Sequence, residues 1–298
     1  MNTNEDFIED LYNMELVDYK FKNIVDITKY IDEKEEKNNV GRISNTGFKE
    51  LDKKFKEKFL GDGEICLIGG RPGCGKLALA TEVILNNLRD NHNVLFLDLR
   101  NDKYITDAIL SNLSKIPLGD LMNKNLSIEE KVLLQDALNE NKKELDNLNV
   151  FSDYYTPIDK IEALARIYNE QYNTDVIFIN DYSKIRTLEG SITKSELDHL
   201  IITNRLLNVA RELNLKIYII SDVDKQCEFR EDKRAGLQDF YPTVGCLTDA
   251  ATTILSIYRD EYYNYDTTYP GYIDITIYNA RSTGMVRLQY KGEYCSLS

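Results

Sequence analysis

Four-residue apolar runs recur from residue 65 onward: Ile65-Cys66-Leu67-Ile68, Val94-Leu95-Phe96-Leu97, Val176-Ile177-Phe178-Ile179 and Ile217-Tyr218-Ile219-Ile220. Each is strand-length and none alternates with polar residues. Strands of this kind are buried on both faces, as in a parallel sheet covered by helices. Helical periodicity lies between them, over Lys76 to Leu88 and Leu197 to Leu213. After Ala250 the pattern changes. Ile273, Ile275 and Ile277 alternate with Asp274, Thr276 and Tyr278, and Val286, Leu288 and Tyr290 repeat this after the turn at Ser282-Thr283-Gly284. Period-two alternation predicts half-buried strands that extend the sheet in antiparallel fashion. Residues 114–147 are charged and helical, and read as a helical insertion.

The first 40 residues differ in texture. They form a polar helical arm in which Phe21, Ile24, Val25, Thr28 and Ile31 recur at helical spacing, ending in the charged run Asp32 to Asn39. The stripe either packs on its own domain or docks on a neighbouring subunit. The expected organisation is an arm or linker over 1–40 and one α/β domain over 41–298, with no internal repeat.

Composition narrows the chemistry. Two His and five Cys without a C-x-x-C pair argue against a zinc site and for reduced thiols. The opening MNTNEDFIED has no apolar core, so no secretory signal is expected, and the longest apolar runs, such as Ile217-Tyr218-Ile219-Ile220, are far too short for a membrane span; the expected location is the cytoplasm. A net charge of −13 opposes non-specific nucleic-acid binding by the whole surface, so any DNA contact must come from a local basic patch.

The most informative segment is Gly69-Gly70-Arg71-Pro72-Gly73-Cys74-Gly75-Lys76-Leu77. It nearly spells the phosphate-binding loop G-x-x-x-x-G-K-[ST], between a predicted strand and a predicted helix. There, backbone N–H groups at a helix N-terminus cradle phosphate and the lysine reaches the β/γ-phosphates. Gly70, Arg71, Pro72, Gly73, Cys74, Gly75, Lys76 and Leu77 are therefore the expected nucleotide contacts. Asp181 follows the third apolar run, where ligands bind in open α/β sheets, and is the expected carboxylate for magnesium held through water. The run ending at Ser221-Asp222 leads into Lys225, Arg230, Lys233 and Arg234, the best basic cluster of the chain; acidic neighbours leave a solvated loop as an equal alternative. Arg281, before a turn, is either a surface residue or a cation reaching a neighbour's phosphates.

Taken in order, these segments resemble the C-terminal RecA-like ATPase domain of DnaB-type replicative helicases, over most of residues 41–298. Ile43 to Asp52 is similar to the family's I-P-T-G-F-x-x-L-D, and Arg71 to Lys76 to its R-P-S-M-G-K. Asp181-Tyr182 resembles its strand-end D-Y. Asp232-Lys233-Arg234 resembles the D-K-R of its DNA-facing loop, Ile257 to Tyr263 its Y-R-D-x-Y-Y, and Gly292-Glu293-Tyr294 its terminal strand. The resemblance implies a RecA-like P-loop fold, ATP with magnesium, single-stranded DNA, and a homo-oligomeric ring or filament or a mixed assembly with a replicative helicase. It also implies that Arg281 acts in trans, that Arg230, Lys233 and Arg234 face DNA, and that the arm docks on the adjacent subunit. Forty residues are too few for the family's separate N-terminal helical domain. A recombinase of the RecA type shares the core sheet, but Tyr258-Arg259-Asp260 favours the helicase side.

Departures from the family pattern converge on one step. Leu77 stands where a Ser or Thr hydroxyl ligates magnesium. Arg100 stands where a Glu activates water, and Asp222 where a Gln senses the γ-phosphate. Asn279-Ala280-Arg281 has lost one cation of K-Q-R. A guanidinium is always charged and cannot act as a base. The sequence therefore predicts a nucleotide-binding replication factor with weak or lost hydrolysis. The alternative is an active helicase of a phage, plasmid or mobile element, with Asp98 or Asp222 recruiting the metal or water.

Overall fold

The computed structural model describes residues 42–56, 58–187, 194–278 and 282–298. The arm with its Phe21/Ile24/Ile31 stripe, and the segment Asn279-Ala280-Arg281, lie outside the described residues.

Among the described residues nine strands form one sheet in the order β3-β2-β4-β5-β1-β6-β7-β8-β9. They are β1 (Ile65–Gly70), β2 (Val94–Asp98), β3 (Leu148–Ser152), β4 (Val176–Asn180), β5 (Lys216–Asp222), β6 (Thr253–Tyr258), β7 (Tyr272–Tyr278), β8 (Thr283–Lys291) and β9 (Ser296–Leu297). The six from β3 to β6 run parallel, and β7 to β9 continue antiparallel. The four apolar runs are β1, β2, β4 and β5, at the centre of this α/β fold.

Burial on both faces explains their composition. Cys66, Ile68, Phe96, Phe178, Tyr218 and Ile220 point to the face covered by the helix Lys76–Arg89. Ile65, Leu67, Leu95, Leu97, Ile177, Ile179, Ile217 and Ile219 point to the other, covered by the helices Ile158–Tyr172 and Glu196–Glu212. A strand with apolar side chains on both faces has no polar alternation to show. On the first face the rings of Phe178 and Tyr218 stack at 4.4 Å, with Phe96 and Phe59 continuing the row.

The insertion resolves into the helices Leu118–Met122, Ile128–Glu140 and Lys142–Leu145, with Ser127 closing a capping box on Glu130. The edge strand β3, which follows directly, has no counterpart in the apolar pattern of the sequence. Its residues Leu148-Asn149-Val150-Phe151-Ser152 are only half-buried or exposed, so they carry no strong apolar signal. Among the described residues no helix is long and apolar enough to cross a membrane.

Candidate functional site

The glycine loop leaves β1 at Gly70 and enters the helix at Lys76, at the carboxyl end of the parallel strands. Gly75 and Gly70 show why the geometry needs glycine here. Gly75 is the N-cap at φ +96°, a left-handed conformation that side chains rarely adopt. A Cβ on Gly70 would lie 2.7 Å from the carbonyl oxygen of Ile257, so only hydrogen fits between loop and β6.

Side chains brace the loop from outside. Arg71 donates from Nη1 to Val223 O at 2.9 Å and pairs through Nε with Glu228 at 3.0 Å. Arg259 donates to Gly73 O at 3.0 Å and lies over the Tyr290 ring. In the sequence Arg259 is only one letter of a motif; its role as a clamp on the loop emerges from the fold.

A cavity of about 350 Å³ opens against the loop. Gly73, Gly75, Lys76 and Leu77 form one wall, Arg100 and Asp102 a second, and Asn180, Asp222, Tyr104 and Tyr290 close it. Lys76 Nζ donates to Gly70 O at 2.8 Å and Arg71 O at 3.0 Å, and lies 2.7 Å from Asp222 Oδ1. Arg100 Nε pairs with Asp102 at 3.2 Å. Leu77 is partly buried against the hydrophobic core and offers the cavity no side-chain oxygen. Burial pushes the Tyr104 phenol up to about 12 and the Cys295 thiol up to about 11, and it raises Tyr290 and Cys74 as well. None of the four is ionised near neutrality, so none supplies a base or thiolate.

Two carboxylates are placed differently from the sequence expectation. Asp181 is not on the cavity wall; Asn180 is. Asp181 is buried and caps the following turn, accepting from Ser183 N–H at 2.8 Å. Asp98 is likewise buried and shapes the turn after β2, accepting from the backbone N–H groups of Arg100 and Lys103. Burial is the main reason its carboxyl sits above the usual range. Both wall carboxylates, Asp102 and Asp222, are ion-paired. Among the described residues no cluster of three His, Cys, Asp or Glu could hold a metal, so a magnesium ion here would rest on at most one or two carboxylates together with nucleotide phosphates and water.

The basic cluster is also tied inward. Arg230 pairs with Asp239 at 2.6 Å and Arg234 with Asp274 at 2.8 Å, both acids being almost fully buried. Lys233 Nζ donates to Arg230 O at 3.1 Å. In this structure the two guanidiniums are partners of the fold's own acids. Of the three cations, Lys233 forms no close carboxylate pair among the described residues, although its charge adds to the Arg71 hydrogen bond in lowering the Glu228 carboxyl. Acidic neighbours in the sequence signalled dilution of the charge, but not which acids would take it up.

The model of the DnaB-like helicase C-terminal domain matches residues 44–298. The replicative DNA helicase DnaB of Rickettsia typhi is 31% identical over 235 residues, covering 74% of this chain and 45% of that protein. The same helicase of Buchnera aphidicola subsp. Acyrthosiphon pisum is 27% identical over 254 residues, covering 84% and 54%. The chain thus spans about half the length of the curated relatives it matches. Among solved structures, a DnaB-like replicative helicase, described together with its interactions with primase, superposes with a TM-score of 0.78 at 21% identity. That match covers 98% of this chain and 71% of that one. The likeness establishes the RecA-like fold. With a matching family model over most of its length, this chain belongs to the DnaB-like helicase C-terminal domain family.

Proposed function

We propose that this chain is a replication-associated DnaB-like protein that binds ATP on its glycine loop, hydrolyses it little or not at all, and acts as an assembly or regulatory factor. The observation that carries this reading is the chemistry of the cavity wall. Leu77 offers no hydroxyl, Arg100 stands at the cavity, and both wall carboxylates are counter-ions of cations. Loss of general-base help alone lowers a rate by about 10²–10⁴. Support for binding comes from the N–H groups at a helix N-terminus, Lys76, and a second cation in Arg100. Magnesium, on this reading, enters on the nucleotide's own phosphates. Arg281 is proposed to reach a neighbouring subunit's nucleotide. The partners proposed are further copies of the chain or a replicative helicase, with single-stranded DNA as the nucleic acid.

The test is direct. The purified chain with ATP, magnesium and single-stranded DNA is expected to hydrolyse at background rate. Leu77→Thr combined with Arg100→Glu should raise the rate at least about tenfold. Robust DNA-stimulated hydrolysis by the unmodified chain would instead support an active helicase with a rearranged site.

A further inference from the structure

Asp222 is the last residue of β5 and the register partner of Gly70, where the glycine loop begins. Its carboxylate and the carbonyls of Gly70 and Arg71 give the Lys76 ammonium three oxygen partners. Three is all that its N–H groups can serve. A phosphate therefore reaches Lys76 only by displacing one of them. The two carbonyls belong to the loop backbone. The Asp222 side chain is 41% exposed and faces the cavity, so it is the partner that can leave.

Its main chain cannot follow. Val223 O is held by Arg71, which is itself paired with Glu228. The carboxylate is thus an intramolecular anion at high effective concentration, ordered in place before any ligand arrives. Once displaced it stays within a side-chain length of the incoming phosphate and repels it.

We infer that Asp222 determines the affinity of this site, competing with the phosphates of a nucleoside triphosphate for Lys76. The inference rests on the proposed reading of the glycine loop as a phosphate seat. A neutral amide of the same shape removes the repulsion and weakens the competition, because its oxygen still accepts from Lys76 but carries no charge.

The experiment titrates a fluorescent ATP analogue into the full chain, with magnesium and with EDTA, for wild type, Asp222→Asn, Asp222→Gln and Lys76→Ala. Thermal melts check that each variant folds. Asp222→Asn, or Asp222→Gln should the first not fold, is expected to bind at least about tenfold tighter in both conditions, through loss of one charge beside a phosphate. Unchanged or weaker binding by a folded variant overturns the inference. So does weakening confined to the magnesium samples, which would make Asp222 a metal ligand. Lys76→Ala separates the two levels. If it binds like wild type, the phosphate seat itself is lost, and with it the proposed function. If it loses binding while the Asp222 variants gain none, only the present inference falls.

Discussion

Strand β5 carries an ion pair at each end, and the two differ in what surrounds them. At its first residue, Lys216 is 2% exposed and pairs with Asp62 at 2.6 Å, with Asp175 at 3.5 Å. Asp175 also meets His92 at 2.6 Å and the N–H of Asn93 at 3.0 Å. At its last residue, about 20 Å away at the usual strand rise, Asp222 meets Lys76 beside an open cavity. The chemistry is the same, a lysine with a carboxylate. The closed pair buries its ammonium, with Asp62 and Asp175 31% and 21% exposed, and works as architecture. The open pair has free space next to it and can exchange partners.

Breaking the closed pair should have the largest effect. Lys216→Met removes the buried counter-ion of Asp62 and Asp175 and is expected to lower stability by about 2 kcal/mol, less than for a fully buried pair because both carboxylates stay partly exposed. Urea denaturation reads this as a lower midpoint. A cost below about 1 kcal/mol, the usual value for an exposed pair, would erase the distinction between the two ends of the strand.

Acid sharpens the comparison. Burial by itself would raise the Asp175 carboxyl, but the hydrogen bond and charge of His92, together with Lys216 and the Asn93 N–H, outweigh it and hold the group below the usual range. A carboxyl depressed in the folded state stabilises the fold above its unfolded value, about pH 4, and that contribution is lost as pH falls through the folded value. Between about pH 5 and about pH 2 wild type should therefore lose stability more steeply than Asp175→Asn. Parallel curves would show that Asp175 gains nothing from its partners.

The smallest effect is expected at the basic cluster. Arg234→Ala removes one of two arginines on Asp274, and Arg287 remains at 2.6 Å. The expected loss is about 1 kcal/mol of stability, with affinity for a single-stranded oligonucleotide unchanged within about twofold. A loss of DNA affinity without loss of stability would return Arg234 to a DNA-facing role.

What could be read without coordinates follows the same division between local and long-range. The central strands were legible because burial on both faces writes itself as an unbroken apolar run, and the antiparallel strands β7 and β8 because their alternation does. The loop was legible because strand, glycines and lysine are contiguous. Strand β3 was not, since an edge strand is free to be polar. Nor was the exchange of Asn180 for Asp181 at the cavity, because one residue at a strand end decides which side chain faces the cavity and which caps the turn. The pairing of Lys76 with Asp222 joins residues far apart in sequence, and only the register of β1 on β5 brings them together. Arg230 and Arg234 read as a basic cluster diluted by its sequence neighbours, because their buried acids, Asp239 and Asp274, are likewise revealed by the fold.

Gly70 has a further consequence. It has space for a hydrogen atom alone because β6 runs against it, a constraint of sheet assembly that holds whether or not any nucleotide arrives. Positions 77, 100 and 222 border open space, although Leu77 also packs against the core, and none is a glycine pressed against a neighbouring strand. A lineage that ceased to need hydrolysis could drift at those three positions while the outline of the loop stayed fixed. A phosphate-loop signature in such a protein is then a fossil of folding as much as a badge of activity, and the positions around it keep the better record of use.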